Sequence, residues 1–171
     1  MKQLGWSIVP FLLLVACAAL FVLATSQSLP GIVASHYGVS GRADGFMPRA
    51  TYVWFMLVIV ALVPLALALI PLRLFRNPSA RINIPDREYW LAPQRRTATI
   101  EYLSRQAVRF ATMLLVFLCY AHWLVVRANK LAPPKLPSDW FVGGLVVFLV
   151  ATLVWVVALI GHFRNASLRD T

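Results

Sequence analysis

The stretch Tyr52–Leu72, YVWFMLVIVALVPLALALIPL, decides the fold. It holds no charged side chain and offers no polar face. A helix needs about 20 apolar residues to cross the hydrocarbon core of a bilayer. A helix that is apolar all round belongs in lipid or deep inside a large core. Working outward, three further runs are long enough to span: about 6–25, 110–126 and 141–163. The chain has 171 residues, of which 60% are hydrophobic and 13% charged, whereas a soluble domain is nearer half apolar. The longest polar stretch, 73–109, leaves no room for a soluble domain. The expected fold is therefore all-α, a single membrane domain over 1–171 with four transmembrane helices.

The first run invites comparison with a signal peptide, because LVAC at Leu14–Cys17 resembles a lipoprotein cleavage box. After Cys17 the chain stays apolar, and the run exceeds the usual apolar core of a signal peptide. A retained helix is the expectation. Trp6 suits an interface, Pro10 stands where a missing N–H costs least, Pro64 predicts a kink and Pro71 an end to the second span. Cys17 and Cys119 both fall within spans, so no disulfide is expected.

Lys and Arg are retained on the cytoplasmic side of a membrane. Four spans place the N-terminus, the 73–109 loop and the C-terminal tail together. That side carries Lys2, Arg73, Arg76, Arg81, Arg87, Arg95, Arg96, Arg105, Arg109, Arg164 and Arg169. The other carries Arg42, Arg49, Arg127, Lys130 and Lys135. Eleven against five puts both termini in the cytoplasm and the 26–51 loop outside. The net charge of +10 follows from this topology and from contact with anionic membrane lipids; it calls for no nucleic acid.

In the 73–109 loop, Pro78 and Pro85 predict an irregular first part. From Pro93 onward the segment reads as helix. Ile100, Leu103, Ala107 and Phe110 form one apolar stripe flanked by Arg95, Arg96, Arg105 and Arg109. Such a helix either lies on the inner surface as a short basic interfacial helix or simply lengthens the third span. Within NIPDREYWLAPQRR, Tyr89 and Trp90 suit the head-group boundary, and Asp86 and Glu88 can meet Arg95 and Arg96. This segment is a candidate contact for a cytoplasmic partner. Between spans three and four, RANKLAPPKLPSDW reads as a stiff, proline-rich connector, with Ser138 or Asp139 capping span four and Trp140 anchoring it.

The chemistry on offer is sparse. LPGIVASHYGVSGRADGFMPR, Leu29–Arg49, holds His36, Tyr37, Arg42, Asp44, Gly45 and Arg49. Asp44–Gly45 is a strong turn dipeptide, so a compact, ordered loop is expected, with Asp44 pairing to Arg42 or Arg49. His36 could join Cys119 and His122 in a metal site, but no C-x-x-C or H-E-x-x-H spacing supports one. The alternative is that His36 bonds within its loop and His122 sits at head-group level. No G-x-S-x-G is present, and the spans lack the ionisable groups of a proton relay. No catalytic residue and no cofactor is expected.

The 29–49 stretch, running straight into an apolar span, resembles the short domain of unknown function (DUF1648) of SdpI-like bacterial membrane proteins. The resemblance rests on Leu29, Pro30, His36, Tyr37, Gly41, Asp44, Gly45, Phe46 and Arg49; NIPDREYWLAPQRR is similar to a segment of many proteins carrying that domain. It implies a polytopic protein of the bacterial inner membrane. The family's named example confers immunity to a secreted toxin and signals through a repressor, but has more spans than this chain. The functional expectation is a non-enzymatic protein that binds a peptide or membrane-protein partner at its outer face. An accessory subunit of a larger membrane complex and a metal-dependent enzyme built on His36 and His122 are the alternatives.

Overall fold

The computed structural model describes residues 2–77 and 81–167. Pro78 and Arg169, invoked above, lie outside the described residues, as do the side chains of Lys2, Trp6 and Arg76. In chain order the elements are α1 (Lys2–Ser26), β1 (Ile32–Tyr37), β2 (Ala43–Pro48), α2 (Arg49–Arg76), α3 (Arg87–Trp90), α4 (Arg96–Ala128) and α5 (Ser138–Ser167). Four helices contain segments long and apolar enough to cross a membrane: Ile8–Ser26, Arg49–Phe75, Arg96–Ala128 and Ser138–Arg164. By length and composition the chain is a multi-pass membrane protein.

Two boundaries move from their expected places. α2 runs through both Pro64 and Pro71 to Arg76, so Pro71 does not end it. The helix stops where Asn77 turns to extended backbone and its N–H bonds the Leu74 carbonyl. α4 is 33 residues long, about 50 Å at 1.5 Å per residue, against a hydrocarbon core of about 30 Å. Its basic stretch 96–109 and the third span are one continuous helix, the second of the two arrangements expected for that segment.

Packing is unequal. Phe11, Val15 and Val22 of α1, Val33 of β1, Tyr52 and Val60 of α2, and Ala111 and Leu115 of α4 share one core. α5 stands outside it and packs against α4. Its most apolar stretch buries no residue, against 22 to 28% of the corresponding stretches of the other three, and Phe163 near its end is enclosed. Rings hold it: Phe117 stacks on Phe148 at 4.8 Å and Phe110 on Trp155 at 5.2 Å. The Trp155 indole N–H also donates to Gln106 Oε1 at 3.0 Å. Lipid tails are as apolar as these side chains, so such a helix gains little by burial and depends on close packing and interhelical bonds. The result is a three-helix core with a fourth helix laid along α4.

The β1–β2 hairpin and the α4–α5 connector share one end, joined by a bridge between Arg42 and Lys135. At the other end Ile82, Leu103 and Phe163 form a separate small core.

Candidate functional site: a clamped hairpin

The hairpin pairs Ile32 with Pro48, Val33 with Met47 and Ala34 with Phe46, then His36 with Gly45 and Tyr37 with Ala43. Ser35 is therefore an extra residue on β1 and Asp44 an extra residue on β2. Bulges of this kind re-aim side chains. Here they bring His36 Nδ1 to 2.5 Å from Asp44 Oδ1, with both side chains largely in the open, 75% and 53% exposed. Asp44 thus pairs with His36, not with Arg42 or Arg49. Gly45 lies under the histidine, and a Cβ there would sit 2.8 Å from His36 Cβ. Only glycine permits that approach.

The turn falls at Gly38–Arg42, not at Asp44–Gly45. Gly38 N–H bonds the Arg42 carbonyl and Gly41 N–H bonds the Gly38 carbonyl, both at 2.9 Å. Gly41 has φ +76°, and a Cβ on it would meet the Leu136 carbonyl oxygen at 2.6 Å. The connector approaches that closely because Leu136 N–H donates to the Gly41 carbonyl at 2.8 Å. Arg42 contributes backbone here while its side chain is exposed. Arg49 closes the base: its N–H bonds the Gly31 carbonyl at 2.9 Å and Nη1 bonds the Leu29 carbonyl at 3.1 Å.

The strongest fastening comes from Asn129, the residue after α4, which sequence reasoning passed over inside the connector. Its Oδ1 accepts from Ala34 N–H at 2.8 Å and its Nδ2 donates to the Ala34 carbonyl at 2.9 Å. One side-chain amide thereby satisfies both backbone groups of a fully buried strand residue, as a neighbouring strand would. Nδ2 also reaches the Tyr37 hydroxyl at 3.0 Å and the Val125 carbonyl at 2.9 Å. The Tyr37 hydroxyl donates to the Ala34 carbonyl at 2.8 Å. Burial pushes Tyr37 up to about 12, with the Asn129 bond opposing the shift. The only advance signal for Asn129 was an amide at a helix end.

Below the hairpin, His122 is 1% exposed. Its Nε2 lies 2.8 Å from Thr25 Oγ1 and its Nδ1 2.9 Å from the Tyr52 hydroxyl. Thr25 donates its own hydrogen to the Phe21 carbonyl at 2.7 Å. That leaves Thr25 to accept from Nε2–H, so Nδ1 accepts from Tyr52. One histidine bonds α1, α2 and α4 together beneath the hairpin. His36 and His122 are engaged in separate places, and among the described residues no group of three His, Cys, Asp or Glu converges to hold a metal.

The inner-loop residues cluster at the opposite end. Asp86, Glu88 and Tyr89 line an open cleft with Arg87. Arg95 stacks over the Tyr89 ring at 4.0 Å. Trp90 turns inward: its indole N–H donates to the Phe163 carbonyl at 2.9 Å, and its carbonyl accepts from Thr99 Oγ1 at 2.9 Å. Arg96 Nη2 ties down the Asn77 carbonyl at 3.0 Å. This set and the hairpin residues occupy opposite ends of the bundle.

What the fold defines is a multi-pass membrane protein presenting a small, rigidly held hairpin between its first two spans. Residues 12–62 match the model of a family described as a domain of unknown function (DUF1648). The match covers most of α1, the whole hairpin and the first half of α2, so the hairpin sits at its centre. No curated protein and no solved structure matches the chain.

Proposed function

We propose that this is a non-enzymatic, SdpI-like protein of the bacterial cytoplasmic membrane that binds a peptide or protein partner through the exposed face of its hairpin. Both termini lie in the cytoplasm and the hairpin outside, on the strength of eleven basic residues against five. An immunity or signalling role fits this placement. The observation that carries the reading is the exposed His36–Asp44 pair on a hairpin fixed at its base, edge and tip. Ile32 and Phe46, 60% and 57% exposed, add apolar surface to the same element. An exposed side-chain pair of this kind contributes little stability, so fold maintenance does not account for it. A rigid scaffold presenting mixed polar and apolar side chains is well suited to recognition.

The test is cross-linking and capture from native membranes with the wild type, His36→Ala and Asp44→Ala. The expected result is a partner retained by the wild type and reduced about tenfold or more by either change. Capture that survives both changes ends the hairpin reading. One observation favours a second reading, an accessory subunit of a larger complex: the most apolar stretch of the α5 span buries no residue within this chain. Purification in mild detergent distinguishes it, since a stoichiometric large assembly held through α5 supports the subunit role.

A further inference from the structure

The hairpin tip and the α4–α5 connector enclose a groove of about 610 Å³ that the partner reading does not use. Its lining carries two cations, Arg127 and Lys135, and one carboxylate, Asp139; Val39, Leu131 and Trp140 give it apolar walls. Among the described residues neither cation has an ion-pair partner. Arg127 is nonetheless positioned, because its guanidinium lies 5.0 Å from the Trp123 ring and 5.5 Å from the Trp140 ring. Two tryptophans where one span ends and the next begins mark the head-group level of a bilayer.

The surface below the groove favours a lipid over a soluble ligand. Trp140, Gly143, Val147, Val150, Val154 and Val157 follow one another at three- and four-residue steps, so they share a face of α5. The four valines are 55 to 69% exposed, and nothing lies within 4 Å of a Cβ built on Gly143. A molecule whose head fills the groove finds an open apolar track for its chains directly beneath. An acidic peptide would have no use for that track.

Charge narrows the head group. A purely anionic one would satisfy Arg127 and Lys135 but meet Asp139 with like charge. Phosphoethanolamine presents a phosphate to the two cations and an ammonium to the carboxylate. Choline carries the same charges but no N–H to donate to Asp139.

We infer that this groove is a phospholipid site selective for phosphoethanolamine head groups, with Arg127 and Lys135 holding the phosphate and Asp139 the ammonium. It stands independently of the hairpin's partner.

Native mass spectrometry of the full chain tests it, with phosphatidylethanolamine, phosphatidylglycerol and phosphatidylcholine of matched acyl chains titrated into the detergent. Phosphatidylethanolamine should bind about fivefold more tightly than either rival. Asp139→Asn should erase its advantage over phosphatidylglycerol, and Arg127→Gln should weaken all three about fivefold, with Lys135→Gln acting in the same direction. Circular dichroism checks that each variant keeps its helices; if Arg127→Gln loses them, Lys135→Gln decides the cation's role. Soluble glycerophosphoethanolamine at equal concentration should leave the lipid in place. Equal affinity for the three lipids, tighter binding of phosphatidylglycerol, or indifference to the cation variants overturns the site. Displacement by glycerophosphoethanolamine or by an acidic peptide overturns the lipid assignment.

Discussion

The two ends of the bundle are ordered by different physics. At the hairpin end, directional bonds dominate: Asn129 serves Ala34, Leu136 serves Gly41 and Arg49 serves Gly31 and Leu29. At the opposite end, rings dominate: His162 lies 3.9 Å from Tyr102 and 5.5 Å from Trp90 in stacked geometry, with Phe163 edge-on to both Trp90 and Tyr102. Hydrogen bonds fix position and leave side chains free to face outward. Ring packing consumes the side chains that make it. An end built mainly from backbone bonds is therefore the one with functional groups to spare.

The sharpest way to break this contrast is Asn129→Ala. It strips the Ala34 N–H of its side-chain partner, leaves the Ala34 carbonyl to the Tyr37 hydroxyl, and takes one bond from Tyr37, so a buried backbone donor is left unpaired. Local opening of Ile32–Tyr37 should become easier by about 2 to 3 kcal/mol, read as faster amide exchange there. Exchange in Arg87–Trp90 should not change; if it speeds up equally, the ends are not independent. Trp90→Ala is the reciprocal probe, removing the bond to the Phe163 carbonyl, one stacked ring contact and one edge-on contact. About 1 to 2 kcal/mol of local stability should be lost around Phe163, with β1 exchange unaltered.

The smallest expected effect is alkaline loosening of the hairpin. Tyr37 titrates near 12 in the fold against the usual 10. Below pH 10 the tyrosine is neutral whether docked or released, and its contribution is intact. Between 10 and 12 only the released form ionises, so stability falls as pH rises through that window. Tyr37→Phe should flatten this part of the exchange profile of β1.

The spans were legible because length and apolarity suffice to define them, and the two-ended layout followed from four spans joined by short segments. The hairpin was legible only as an ordered loop. IVASHY carries no clean alternation, since Ser35 interrupts it, and Asp44–Gly45 looks like a turn although it sits inside β2. Turn chemistry competes poorly with a strand fixed on its outer edge by Asn129. The α4 boundary was hidden for another reason. Its basic half and its apolar half share one helical period, so nothing in the pattern separates lengthening from lying flat. The role of His122 depended on Thr25 and Tyr52, 97 and 70 residues away; no local spacing encodes that.

The two bulges cancel. Register is uniform from Ile32↔Pro48 to Ala34↔Phe46, slips by one at His36↔Gly45, and is restored at Tyr37↔Ala43. Losing Ser35 alone, or Asp44 alone, would throw every position toward the tip out of step and carry Gly41 away from Leu136. Losing both would leave the tip where it is. Insertions and deletions at these two sites are therefore tied: a relative of this chain can discard the pair and keep its hairpin, but it cannot discard one.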